Sequence, residues 1–403
     1  GVISHRQYVT QTLAKETILS GLSTPSAASS AHILDTRLHL FTPLQVGAFE
    51  LKHRIVMAPL TRMRANRPGN EPSALNALYY TQRASEGGLI IAEASQVVPE
   101  GQGMPATPGI HTDAQQAGWQ LVTDGVHARS GRIFLQLWHV GRISHSSHQP
   151  EGGAPVAPSA IAAVGNALTA DFTPAPFEVP RALSLNDIDQ LKKAYVAAGR
   201  RAIAAGFDGV EIHSANGYLL EQFMISRSNE RTDRYGGSLA NRMRLPLEIA
   251  ELLAADLGAN RVGIRLSPFG VANDSGETDP LTLYREITKE LNLLKLAYLH
   301  LIEPRASGAG QRDVDHQNVP SGCATLRPFW DQALITAGNF TAERAEQTVA
   351  AGEADAIAFG RYFISNPDLP QRIKNGVPFT PYDRPSFYGG GTEGYTNYAA
   401  FGG

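Results

Sequence analysis

The α/β fold this sequence predicts is a single (β/α)8 barrel of the TIM type, with a long loop insertion after its third strand and an N-terminal extension. Three observations carry that expectation. Short, almost continuously apolar, β-branched runs recur eight times along the chain, the mark of strands buried on both faces in a parallel sheet. Segments with apolar residues at three-to-four spacing follow most of them, as helices packed on a sheet require. No Gly-x-Gly-x-x-Gly turn follows the first run, where Pro59-Leu60-Thr61-Arg62 stands instead, and this counts against a doubly wound open sheet.

The strand-like runs are 54–60, 88–94, 133–139, 207–213, 261–266, 298–303, 333–337 and 356–360. Helical periodicity covers 73–86, 113–130, 187–205, 239–257, 280–294 and 341–351. Thr112, Ser184, Ser238, Asp279 and Thr341 stand where N-caps are needed, with side-chain oxygens able to accept the first free amides. Residues 141–180 are a Gly/Pro/Ala-rich insertion after the third run, long enough to be functional or a lid. A second polar insertion, 229–238, follows the fourth. Its charge density reads as a solvated face or as a loop near the active-site entrance.

Residues 1–36 differ from the rest, with a Ser/Ala/Pro stretch at 23–30. They lack the apolar core of a secretory signal, and Glu16 and Asp35 balance Arg6 and Lys15. A dispensable extension is expected there, and one catalytic domain over 37–403. The 403 residues suit one barrel with insertions. A net charge of −3 points to neither nucleic acid nor an acidic membrane, and no apolar run is long enough to span a bilayer. Cys323 is the single cysteine, so neither an internal disulfide nor a four-thiolate cluster can form within the chain. No metal is expected. A cytoplasmic protein, monomeric or homodimeric, fits these features.

Active sites of such barrels gather at the carboxyl ends of the strands. Here those positions hold Thr61, Ala94 with Ser95, Gln136 with His139, His213 with Asn216, Arg265, Glu303 with Arg305, Gly338 with Asn339, and Gly360 with Arg361. They are expected to converge on one pocket. Glycines closing the seventh and eighth runs, with Arg361 beside them, suit a phosphate, because backbone amides can approach it and the guanidinium can pair with it. Arg265 and Gln136 admit two readings. A conjugated ring with an imide edge would satisfy both; so would an Arg–carboxylate pair with Gln136 bonded to backbone.

The segment Glu211-Ile212-His213-Ser214-Ala215-Asn216-Gly217-Tyr218 places two hydrogen-bond donors and a phenol in one turn at a strand end. That set can grip a carbonyl oxygen and deliver a proton close to it. A satisfied core histidine is the plainer alternative for His213 taken alone.

These motifs together resemble the old yellow enzymes, FMN-containing ene-reductases. The stretches that carry the resemblance are Leu40-Phe41-Thr42-Pro43-Leu44, Met57-Ala58-Pro59-Leu60-Thr61-Arg62, Leu135-Gln136-Leu137-Trp138-His139-Val140-Gly141-Arg142, the segment from Val210 to Leu219, Asn229-Glu230-Arg231-Thr232-Asp233-Arg234-Tyr235-Gly236-Gly237-Ser238, and Tyr388-Gly389-Gly390-Gly391. The resemblance implies FMN on the barrel mouth, its phosphate against Gly338, Asn339, Gly360 and Arg361. Pro59, Thr61 and Ala94 would line the ring, Gln136 its pyrimidine edge, and Arg265 would stabilise the reduced form. His213 and Asn216 would hold the carbonyl oxygen of an enone, a small-molecule substrate, and Tyr218 would protonate it. NADPH or NADH would be the hydride donor; nitro compounds and nitrate esters are further acceptors.

Met104 stands where many relatives carry tyrosine, which implies an altered substrate preference; an inconsequential loop methionine is the alternative. Trp138 and Tyr388 are candidate pocket walls or simple packing residues. Arg142 either contacts the cofactor or anchors the insertion. Two rivals remain: a phosphate-ligand aldolase or isomerase, disfavoured because no strand ends in lysine, and a flavin-binding protein without turnover.

Overall fold

The computed structural model describes residues 39–304 and 319–402. The expected extension and Arg305 lie outside them. Eight parallel strands close into a barrel: β1 (Ile55–Met57), β2 (Leu89–Gln96), β3 (Arg132–Trp138), β4 (Gly209–His213), β5 (Val262–Leu266), β6 (Tyr298–Ile302), β7 (Ala333–Ala337) and β8 (Ala356–Phe359). Each pairs with its sequence neighbours, and the pairing of Ile357 with Ile55 joins the last strand to the first. No edge is left exposed.

Between the strands lie α1 (Ala74–Arg83), α2 (Asp113–Ala128), α3 (Leu185–Ala204), α4 (Leu219–Met224), α5 (Leu239–Leu257), α6 (Pro280–Asn292), α7 (Gly322–Leu326) and α8 (Ala342–Ala350); α9 (Arg361–Ser365) and α10 (Leu369–Asn375) follow β8. All five expected caps accept a backbone amide. Thr112 with Gln115 and Ser184 with Asp187 complete reciprocal capping boxes. The sequence reading missed α4, α7, α9 and α10. They are only five to seven residues long, too short to show an amphipathic stripe, and burial on several sides erases their periodicity. No helix among the described residues is long and apolar enough to cross a membrane.

The barrel interior is graded. A hairpin, Leu44–Val46 with Phe49–Leu51, closes the amino-terminal end, where Val46 and Leu51 pack on Val56, Leu89, Phe134 and Tyr298. Gly47 makes its turn at φ 55°, where a β-carbon would collide with the Asn260 carbonyl. Towards the carboxyl end, the inward positions of β3 to β6 turn polar: Gln136, Glu211, His213, Arg265 and His300, all buried. A dry floor thus carries a polar upper layer.

The insertion after β3 holds 3-10 turns, a hairpin (Asn166–Leu168 with Pro174–Pro176), and the strand Val156–Ala157 paired with Arg181–Ala182. Arg142 anchors it, donating to the carbonyls of Ile161 and Asp274. The segment 229–238 is not a solvated face throughout. The Arg231 side chain is only 7% exposed, is paired with Asp233, and donates to the carbonyls of Pro158 and Leu183, tying this loop to the insertion.

Candidate active site

A cavity of about 400 Å³ opens at the carboxyl ends of the strands. Pro59, Thr61, Ala94, Met104, Gln136, Trp138, His213, Asn216, Tyr218, Arg265, Gly338, Asn339, Gly360, Arg361 and Tyr388 all line it. Met104 is therefore one of the wall residues. Ser95, His139 and Glu303 do not line it. Strand alternation turns them away, and Glu303 instead accepts the amides of Gly322 and Cys323 and the Thr336 hydroxyl.

The turn after β4 is held by groups the sequence reading did not single out. The Asn216 amide, at φ 56°, donates to Ser267 Oγ at 2.9 Å, which donates to Glu221 at 2.8 Å. Glu221 also accepts the Gly217 amide and the Tyr284 hydroxyl. Asn273 Nδ2 donates to the Asn216 carbonyl at 2.8 Å, and the Asn273 side chain lies near enough to the Tyr218 hydroxyl to oppose the rise of its pKa. A buried glutamate in the Leu-Leu-Glu-Gln-Phe-Met run was the available signal for Glu221; nothing local marks Asn273.

This scaffold fixes the chemistry of the three side chains. His213 Nδ1 accepts the Ala215 amide. Burial, then the Arg265 charge, pushes its pKa down to about 3. The ring is therefore neutral with its proton on Nε2, so it offers one N–H donor. The Trp138 and His213 rings stack, 5.9 Å apart and 17° from parallel. Tyr218 meets both edge-on, at 4.8 and 5.0 Å. Burial, and next the Tyr388 phenol, raises the Tyr218 pKa against the Asn273 hydrogen bond. Its hydroxyl stays protonated and can donate.

On the opposite side, Arg265 Nε is buried without a hydrogen-bond partner among the described residues. Gln136 Nε2 donates to Glu211 at 2.7 Å, not to backbone as one of the two readings had it. A buried arginine with an idle donor and a glutamine with a free carbonyl oxygen suit a ring bearing an imide edge. Gly338 (φ 140°) and Asn339 (φ 53°) turn sharply at the end of β7. A β-carbon at 338 would lie 2.8 Å from that of Glu303. Gly360 caps α9, and Arg361 bonds the Tyr382 hydroxyl at 3.3 Å.

The C-terminal wall is clamped from the loop after β1. Arg62 donates to the carbonyls of Phe387 and Gly394, and Arg64 to those of Ser386, Phe387, Gly391 and Glu393. Tyr388 lies within this clamped segment.

Burial also sets the acid response of the fold. It holds His53 at about 4, with Lys374 adding to the effect, and His139 and His213 at about 3. These rings take protons only on unfolding, so they cost stability as pH falls below 6.5. Burial raises Glu93 and Glu221 to about 7, against the hydrogen bonds of Tyr80 and Ser267. They hold protons in the folded state from about 7 down to 4.5, which offsets part of that loss. Stability is thus expected to fall gently from pH 6.5 to 4.5 and more steeply below, by about 1.4 kcal/mol per pH unit for each net proton. Denaturant titrations at half-unit pH intervals check the break near 4.5.

Residues 39–379 match the family model described as the NADH:flavin oxidoreductase / NADH oxidase family. The chain is 44% identical to 12-oxophytodienoate reductase 1 of Oryza sativa subsp. japonica, over 89% of this chain and 92% of that protein. It is 43% identical to flavin oxidoreductase hxnT of Emericella nidulans, over 89% and 97%. Morphinone reductase in complex with tetrahydroNAD superposes with a TM-score of 0.83 at 45% identity, over 90% of this chain and 97% of that one. Family model, relatives and solved structures agree: the chain belongs to the NADH:flavin oxidoreductase / NADH oxidase family, that of the old yellow enzymes, and is an FMN-dependent NAD(P)H oxidoreductase of the ene-reductase type.

Proposed function

We propose that this chain reduces the activated C=C bond of α,β-unsaturated carbonyl compounds in a ping-pong cycle, with His213, Asn216 and Tyr218 as its catalytic residues. The observation that carries the assignment is the turn after β4. It sets a neutral histidine N–H and an asparagine side chain beside a phenol that stays protonated. When bound, FMN would supply the hydride-transfer chemistry between NADPH or NADH and the β carbon. Pro59, Thr61 and Ala94 would line the ring, Gln136 and Arg265 would meet its imide edge, and Gly338, Asn339, Gly360 and Arg361 would seat the phosphate. The donors on His213 and Asn216 polarise the carbonyl and bond more strongly as charge gathers on its oxygen. Tyr218 gives its proton to the α carbon. Met104, Trp138 and Tyr388 shape the space for the rest of the substrate.

Nitro compounds and nitrate esters present oxygens to the same donors and are further acceptors. The domain over 37–403 does this chemistry as a monomer or homodimer, and a cytoplasmic location suits a NADPH-dependent enzyme. The test is anaerobic reduction of the purified holoenzyme with NADPH, followed by 2-cyclohexenone. Return of the oxidised flavin spectrum with cyclohexanone formed is expected. Persistent reduction in the presence of enone would refute the substrate class.

The clamp on Tyr388 makes a separate prediction. Arg64→Ala removes four donors to the 386–393 segment and is expected to raise KM for an enone several-fold, with kcat within about twofold. Steady-state kinetics on small and bulky enones check it, the bulky one shifting more.

A further inference from the structure

Beneath the cavity lies a buried ion that the mechanism above does not use. Glu211 is fully buried in β4, two residues before His213. Both of its carboxylate oxygens are occupied. Oε1 accepts Gln136 Nε2 at 2.7 Å; Oε2 accepts the Tyr298 hydroxyl at 2.9 Å and His300 Nδ1 at 3.0 Å. Register ties these groups to four consecutive strands, with Glu211 beside Gln136 and Arg265 between His213 and His300. Burial alone would raise the Glu211 pKa, but the His300 ring, the Arg265 charge and the Tyr298 hydroxyl bring it below the ordinary value. The group is a carboxylate, held in the dry interior by three donors.

Two consequences follow. A carboxylate can only accept, so the Gln136 amide must turn its nitrogen towards Glu211. Its carbonyl oxygen is then the atom left for the cavity, and it can accept an N–H but cannot donate. The second consequence is electrostatic. Arg265 is buried with an idle Nε, and Glu211 interacts with its charge. In so dry a layer that interaction is weakly screened. A buried ion of this kind adds little stability over apolar packing, which favours a role for its charge.

We propose that Glu211 is a positioning residue for the flavin-facing edge: it fixes Gln136 with its carbonyl oxygen towards the ring and offsets part of the Arg265 charge, setting how much more tightly reduced FMN is held than oxidised FMN. This rests on the assignment of Gln136 and Arg265 to the imide edge of the ring.

The test is the midpoint potential of the FMN-loaded protein, with the dissociation constant of oxidised FMN measured alongside. Glu211→Gln keeps the volume and removes the charge. It frees Gln136 to pivot, so oxidised FMN is expected to bind several-fold more weakly. It also leaves Arg265 uncompensated, so the ratio of reduced to oxidised affinity is expected to rise about tenfold, ~30 mV for a two-electron couple. Equal weakening of both redox forms would show a merely structural role and overturn the proposal. Tyr298→Phe serves if Glu211→Gln does not fold: it keeps the carboxylate, removes one donor, and is expected to shift the potential the opposite way. An unchanged potential in that variant would likewise overturn it. Failure of the wild-type protein to bind FMN would instead strike at the ring assignment itself.

Discussion

Tyr218→Phe is expected to slow reoxidation of the reduced holoenzyme by 2-cyclohexenone by roughly 10²–10⁴-fold, the usual worth of a positioned general acid. Reduction by NADPH should stay within about twofold, because hydride arrives there without a proton from the phenol. The variant should fold, since the ring keeps its edge contacts with Trp138 and His213 and loses only the hydroxyl. The raised Tyr218 pKa adds a sign: the hydroxyl stays protonated well above neutrality, so the wild-type enone half-reaction should show no loss from Tyr218 ionisation between pH 6 and 9. Stopped-flow traces of the two half-reactions separate the effects. An enone half-reaction at wild-type speed in the variant would move the proton source elsewhere. Asn273→Ala is the companion, because it leaves the phenol in place but releases both it and the Asn216 carbonyl. A smaller loss there would mean that aim, and not acidity alone, sets the rate.

The residues that line the cavity were legible because barrel geometry converts sequence position into place. Gln136, His213, Arg265, Gly338 and Gly360 close five different strands, and closure of the sheet brings them to one cavity. The strands themselves were legible because burial on both faces demands continuous apolar character. Asn273 and Ser267 were not legible. They follow β5, more than fifty residues from the turn they hold, and only the folded loop gives them a partner. Glu211 was read as part of a motif, yet its task depends on Gln136, Tyr298 and His300 across neighbouring strands. Its partners could be seen only once the register was known. The position of Gln136 left two readings open and only the resemblance implied a ring edge; the atom it can offer the cavity follows from Glu211 alone.

Replacing both His213 and Asn216 by alanine is expected to abolish binding of phenols to the oxidised holoenzyme and to cut the enone half-reaction by roughly 10²–10³-fold or more. Each side chain offers a donor to the same oxygen, so the two single losses should not add; either donor alone retains part of the grip. On the proposed function, a histidine serves here without acting as an acid. Its Nδ1 is occupied by the Ala215 amide and its pKa lies at about 3, so above pH 5 it neither gains nor gives up a proton. His213 should therefore add no step of its own to phenol affinity between pH 5 and 8, although Glu221, raised to about 7 behind the turn, titrates in that window. A step in spectral titrations that persists in a Glu221→Gln variant would mean that His213 charges in the complex. The oxygen grip would then be a cationic one, and the proton of the reduction could come from the imidazole instead of Tyr218. A profile without that step, together with lost binding in the double variant, leaves two neutral donors to hold the oxygen and the phenol to finish the reaction.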